Sequence, residues 1–167
     1  QQFTELIASG VVAIFKKLYA ESWGPRLEHI LRNTLLALIE KDQSTMEDII
    51  KMLTNESFRQ KTVEKLKDPV IRNFWEKEWV SMGARLQGEA IAPILNKIGQ
   101  FVSSPLIRNV INSPTSSFSI EGAMNEGKIL LCNLSQGKLG EDNAPLLGAM
   151  LITKIQLAAM NRVYIPE

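Results

Sequence analysis

Residues 128–134 read Lys128-Ile129-Leu130-Leu131-Cys132-Asn133-Leu134, and the fold turns on how this stretch is interpreted. It is a short apolar run that ends in a polar, glycine-containing loop, the pattern of one buried β-strand. The rest of the sequence carries its apolar residues at helical spacing. A single strand leaves its own backbone N–H and C=O groups unpaired, and no convincing partner strand occurs elsewhere in the 167 residues. The expected fold is therefore mainly α, an all-helical domain followed by one βα unit of an incomplete α/β core. On this expectation the chain is a piece of a larger protein that supplies the other strands.

Working outward, residues 3–20 place Phe3, Leu6, Ile7, Ile14 and Leu18 on one helical face. Ser22-Trp23-Gly24-Pro25 breaks that helix, and Pro25 suits the first turn of the next. This second helix is predicted over 25–41, with Leu27, Ile30, Leu31, Leu35 and Leu38 inside. Ser44-Thr45-Met46-Glu47 predicts a capping box, with Ser44 as N-cap and Glu47 reaching back. Asn55 is expected to cap a helix over 56–67. Asp68-Pro69 starts another over 69–80, which carries Phe74, Trp75 and Trp79. Gly83 allows a bend or stop. A longer helix follows over 84–102, where Pro93 is expected to kink or divide it. Ser104-Pro105 starts a short helix to Asn112.

The character changes at the polar connector Ser113 to Ser117. A helical turn or two is expected over 121–126, ended by Gly127. After the strand come the loop 135–143 and a helix over 144–162 that is apolar on nearly all sides, and so is expected to be buried. The predicted units are a leading helix at 1–22, an all-α domain at 23–112 and a partial α/β core at 113–167.

Hydrophobic residues make up 45% and charged residues 22% of the chain, ordinary for a globular protein. A net charge of +1 neither demands nor forbids nucleic acid. A lone Cys132 excludes an internal disulfide framework and any zinc site built on paired cysteines, and fits a reducing, cytoplasmic setting. One histidine, His29, cannot make a His-based metal cluster. The start at Gln1 shows no basic n-region of a signal peptide and is read as truncation. The run from Leu146 to Met160 is interrupted by Thr153, Lys154 and Gln156, and falls short of the roughly 20 residues of a membrane span.

No catalytic constellation is evident. A G-x-x-x-x-G-K-[ST] phosphate loop and a nucleophile elbow are both missing. The Ser135 to Asp142 loop has glycines and Lys138 but not that spacing, and reads as a surface loop more readily than a phosphate cradle. Glu141 and Asp142 suit a helix N-terminus. Cys132 reads as a small buried side chain and His29 as a packing or surface residue. Trp75 and Trp79, four apart, pack together more readily than they stack on bases. Between Ala90 and Ile120 there are Lys97 and Arg108 but no Asp or Glu. With Arg85 they form either a mildly basic surface for a phosphate backbone or isolated solvated charges.

Four stretches carry a resemblance. They are 22–28 (Ser-Trp-Gly-Pro-Arg-Leu-Glu) with 30–38, Glu89 to Lys97, Ser103 to Asn109, and Gly127 to Leu131 running on to Lys138. Together the chain resembles the coupling ATPases of conjugative DNA transfer and type IV secretion, of the TraG/TraD type, and their HerA/FtsK-like relatives. The resemblance covers essentially the whole chain. It implies a hexameric ring with a RecA-like core that moves DNA or nucleoprotein. Residues 23–112 would be its all-α substrate-recognition domain, and 113–167 a core strand and helix before the Walker B strand.

Walker A and Walker B are absent, so no catalysis and no cofactor are expected of this chain alone. ATP and Mg²⁺ belong to the parent. Implied partners are single- or double-stranded DNA or secreted nucleoprotein, relaxosome proteins and ring neighbours. The expected location is cytoplasmic, with the parent's association with the inner face of the cell membrane left open. Arg26, Arg32, Arg85, Lys97 and Arg108 are the candidate phosphate or partner contacts. The competing readings are a module that docks secretion substrates or relaxosome proteins without touching DNA, and a purely structural insertion.

Overall fold

A computed structural model of the chain describes residues 2–41, 43–113 and 115–162. It is mainly helical, and no strand forms among the described residues. Helix α1 (Gln2–Leu18) leads through a tight turn (Ala20–Ser22) into α2 (Pro25–Glu40). The helices α3 (Met46–Thr54) and α4 (Glu56–Val63) follow. Next come α5 (Pro69–Asn73), a π-helical turn (Phe74–Glu78) and α6 (Trp79–Ser81). The long α7 (Gly83–Ser103) and short α8 (Pro105–Ile111) complete the first block.

At the centre lies α2, against α1, α3 and α7. The five residues predicted to face inward are all buried, and so are Asn33, Thr34, Leu36 and Ala37. The two polar ones are satisfied within their own helix: Asn33 Nδ2 donates to the His29 carbonyl at 2.9 Å and Thr34 Oγ1 to the Ile30 carbonyl at 2.8 Å. Each buried Leu or Ile contributes about 1.5–3 kcal/mol. That stripe outweighs the few tenths of a kcal/mol lost by having Gly24, without a side-chain cap, at the N-cap. Phe15, Phe74, Phe101, Ile49, Met52, Ile94, Ile98 and Ile107 fill the same core. The side chain of Phe3 lies outside the described ones.

Several start signals stand where the sequence puts them. Asn55 Oδ1 accepts from the Phe58 N–H at 2.9 Å, and Asp68 Oδ1 from the Val70 N–H at 2.8 Å, with Pro69 next. The capping box forms one residue later than predicted: Thr45 is the N-cap, and Asp48 Oδ2 accepts from its N–H at 3.3 Å. Ser44 Oγ donates instead to the Leu38 carbonyl at 2.7 Å, which holds it against the end of α2.

The 69–80 helix exists but is not uniform. Its centre widens into the π turn, where the Trp79 N–H reaches the Phe74 carbonyl. Trp75 and Trp79 are buried, with ring centroids 5.3 Å apart, as expected of a core pair. Gly83, at φ +68°, adopts the left-handed backbone that lets α7 start directly after α6. Helix α7 runs on through Pro93 rather than dividing there.

The second block departs furthest from expectation. Residues 128–134 form no strand; the Lys128 N–H closes the end of the preceding helix on the Ala123 carbonyl, and Ile129 is 88% and Leu131 90% exposed. A strand needs neighbours for its backbone groups, and the described chain supplies none. Cys132, expected to be buried, is exposed for the same reason.

Before this segment lies α9 (Ile120–Asn125), capped by Ser119 Oγ, which accepts from the Gly122 N–H at 3.0 Å. After it come α10 (Gln136–Leu139) and α11 (Asn143–Asn161). Helix α11 packs on α1 and α9. Among its residues only Ala144, Leu146 and Ala158 are buried, while Ile152 is exposed. The expectation of a fully buried helix fails, because packing on α1, α9 and α10 leaves most of its residues partly or fully exposed. By length and composition alone α11 is long and apolar enough to cross a membrane.

Candidate functional site

The break between α1 and α2 builds an open groove. Gly24 and Pro25 turn the chain, so that Lys16 from the end of α1 faces Glu28, His29 and Arg32 from α2, with Trp23 beside them. Glu28 is the hub. Its Oε2 accepts from Trp23 Nε1 at 2.7 Å and from Lys16 Nζ at 3.1 Å, while Arg32 Nη2 lies 3.8 Å from Oε1. The Trp23 hydrogen bond, then that from Lys16, hold its carboxyl below the usual carboxylate range, against the opposing effect of burial. Arg32 Nη1 also donates to Ser9 Oγ at 2.9 Å, which ties α2 to α1.

His29 points elsewhere. Its Nε2 lies 3.1 Å from Glu78 Oε2, and its ring meets Phe74 edge-on at 5.0 Å. It joins α2 to the π turn. Below, Arg59 stacks over Trp79, with 5.5 Å from its guanidinium carbon to the ring centroid. Among the described residues neither the Trp75 nor the Trp79 indole N–H has a hydrogen-bond partner, and both side chains are buried. The two therefore serve as core bulk, not as base-stacking platforms.

The five sequence-predicted contacts do not assemble. Arg32 lines the groove, and Arg26 lies exposed on the first turn of the same helix. Arg85 is exposed on α7 and pairs with Glu89, Nε to Oε1, at 3.1 Å. Arg108 is exposed on α8. Neither Arg85 nor Arg108 lines the groove.

Lys97 is misplaced as a surface contact: it is only 8% exposed, with its Nζ 4.8 Å from the Tyr19 ring centroid. Burial lowers its pKa, and burial followed by the Asp142 charge raises that of Tyr19. An amphipathic helix shows which face its backbone presents, yet a long Lys stem lying on an aromatic ring leaves no trace in local spacing.

The 135–142 loop makes contacts within the fold. Ser135 to Leu139 turns into α10, and Gly140 at φ +89° releases the chain towards α11. Asp142 Oδ2 accepts from Gln100 Nε2 at 2.7 Å, which joins α11 to α7. No cluster of three His, Cys, Asp or Glu side chains able to hold a metal occurs among the described residues.

Sequence reasoning missed Lys16 and the role of Glu28. The Ser-Trp-Gly-Pro break was visible, but Lys16 and Glu28 are separated by 12 positions and meet only because that break folds α1 back on α2. No protein-family profile, curated protein or solved structure matches the chain.

Proposed function

We propose that this chain is the helical substrate-recognition module, with an adjoining piece of core, of a ring-forming ATPase that feeds DNA or nucleoprotein into a type IV secretion channel. The module docks the protein part of its substrate and leaves DNA to other surfaces. The reading rests on the resemblance carried by the Ser22 to Leu38, Glu89 to Lys97, Ser103 to Asn109 and Gly127 to Lys138 stretches. In that reading the parent sheet covers Ile129 and Leu131. ATP, Mg²⁺ and the ring belong to the parent as a whole.

The observation that favours protein docking over DNA contact is the engagement of three of the five candidate cations, which leaves Arg26 and Arg108 on separate helices. Lys97 is buried, Arg85 is paired with Glu89, and Arg32 is bound to Ser9 and Glu28. Phosphate binding draws on several free cations that follow a backbone.

Anisotropy of a labelled single-stranded oligonucleotide between about 50 and 200 mM salt tests this choice. The expected result is weak binding with a shallow salt dependence. A slope of log K against log salt steeper than about −2, near three phosphate contacts at about 0.7 each, would replace it with DNA recognition.

A further inference from the structure

The groove between α1 and α2 has a charge balance of its own. Its lining holds Lys16 and Arg32 against Glu28, and Arg26 sits exposed on the adjoining turn. Glu28 is engaged from within the chain: Trp23 and Lys16 both donate to its Oε2, and Arg32 lies 3.8 Å from Oε1. The cations are not equally spent. Lys16 is more than half exposed and has N–H groups beyond the one given to Glu28. Arg26 makes no ion pair among the described residues. Trp23 and Pro25 add an aromatic and aliphatic floor. Trp23 is pinned by its hydrogen bond to Glu28 and so presents a fixed surface.

We infer that this groove docks an extended, acidic peptide segment of a partner protein. Charge complementarity selects the occupant. Carboxylates of the peptide meet Lys16 and Arg26, and the stems between them lie on Trp23 and Pro25. Glu28 remains the internal anchor that holds Trp23 and Lys16 in place. A basic peptide would meet cations that outnumber the one carboxylate of the lining, Glu28, which is already paired with Lys16 and Arg32. This inference deepens the protein-docking reading and rests on it.

The experiment uses the full chain and a fluorescein-labelled oligoglutamate peptide, with oligolysine and a single-stranded oligonucleotide as comparisons. Oligoglutamate is expected to bind at low salt and to change the emission of Trp23, which is more accessible than the buried Trp75 and Trp79. Arg26→Glu is expected to weaken it by about tenfold or more. That variant leaves the fold intact, because Arg26 is unpaired and an acidic residue suits a first helical turn. Trp23→Phe should abolish the emission change.

Equal affinity of the Arg26→Glu variant, binding without an emission change, or no oligoglutamate binding to the folded chain each overturns the inference. Binding of oligolysine in place of oligoglutamate also overturns it while leaving protein docking intact. An oligonucleotide that binds more tightly and displaces the peptide overturns both readings.

Discussion

Asn112, at the end of α8, and Glu47, in the first turn of α3, exchange two hydrogen bonds across 65 positions of sequence. The Glu47 N–H donates to Asn112 Oδ1 at 3.1 Å, and Asn112 Nδ2 donates to Glu47 Oε2 at 2.7 Å. The pair satisfies one of the unpaired amides that begin every helix and fastens the last helix of the first block to an early one. Asn112→Ala is expected to destabilise the chain by about 1–3 kcal/mol, since it leaves a part-buried donor and acceptor unmatched. Asn112→Asp should cost at least as much, because it sets a second carboxylate against Glu47. Urea unfolding checks both, and an unchanged midpoint would show that the contact carries no stability.

Helix α11 meets α1 at Gly10. A Cβ at Gly10 would stand 2.8 Å from Thr153 Cγ2, closer than real atoms approach. Thr153 is β-branched and held by its own Oγ1 bond to the Ala149 carbonyl at 2.9 Å, so it cannot readily turn away. Gly10→Ala is therefore expected to loosen α11 from α1 even though alanine favours a helix by about 1 kcal/mol. Combined with Thr153→Ser, which removes the methyl and keeps the hydroxyl, the same change should become stabilising by up to about 1 kcal/mol. A double-mutant cycle in thermal unfolding measures this sign reversal.

Asp48 carries a pH dependence. Burial pushes its carboxyl up, but hydrogen bonds from Lys51, the Thr45 N–H and Lys41 together outweigh burial and hold it below the usual range. A depressed folded-state value means that the stabilisation is fully present above the unfolded-state pKa of about 3.9 and is lost as pH falls through the folded value. Asp48→Asn is expected to be less stable at neutral pH. Its stability should fall less steeply than that of the unsubstituted chain as the solution is acidified below about pH 4. Parallel acid-unfolding curves would remove Asp48 from the account.

What was legible in the sequence, and what was not, follows from the range of the interactions. Asn55 and Asp68 accept from amides within three residues, and the α2 stripe repeats along one helix, so both could be read locally. The capping box slipped by one residue because Ser44 is claimed by the Leu38 carbonyl of the preceding helix, a partner that spacing does not reveal. Lys97 reads as a surface cation in the sequence because nothing near it announces Tyr19. The groove depends on α1 folding back on α2. Its turn was visible, but the meeting of Lys16 with Glu28 was not. The π turn inside 69–81 has no simple signature, since Phe74, Trp75 and Trp79 fit an ordinary helix equally well.

In residues 128–134 the apolar pattern of a buried strand and the structure disagree. Even-numbered Leu134 approaches α11, and a Cβ at Gly148 would be 3.4 Å from Leu134 Cδ1. Odd-numbered Ile129 and Leu131 point into water. Leu134 therefore touches a helix while Ile129 and Leu131 are bare, and no ladder forms along the backbone between them. Amides 129–134 are expected to exchange with solvent at close to unstructured rates, whereas those of α2, deep in the core, exchange slowest. Leu131→Ser is expected to change stability by less than about 0.5 kcal/mol and to reduce self-association, because it removes an exposed apolar side chain from an edge able to pair with other chains. Strong exchange protection of 129–134 that is lost on dilution would mean that copies of this chain pair through the segment, and Leu131→Ser should then abolish that protection.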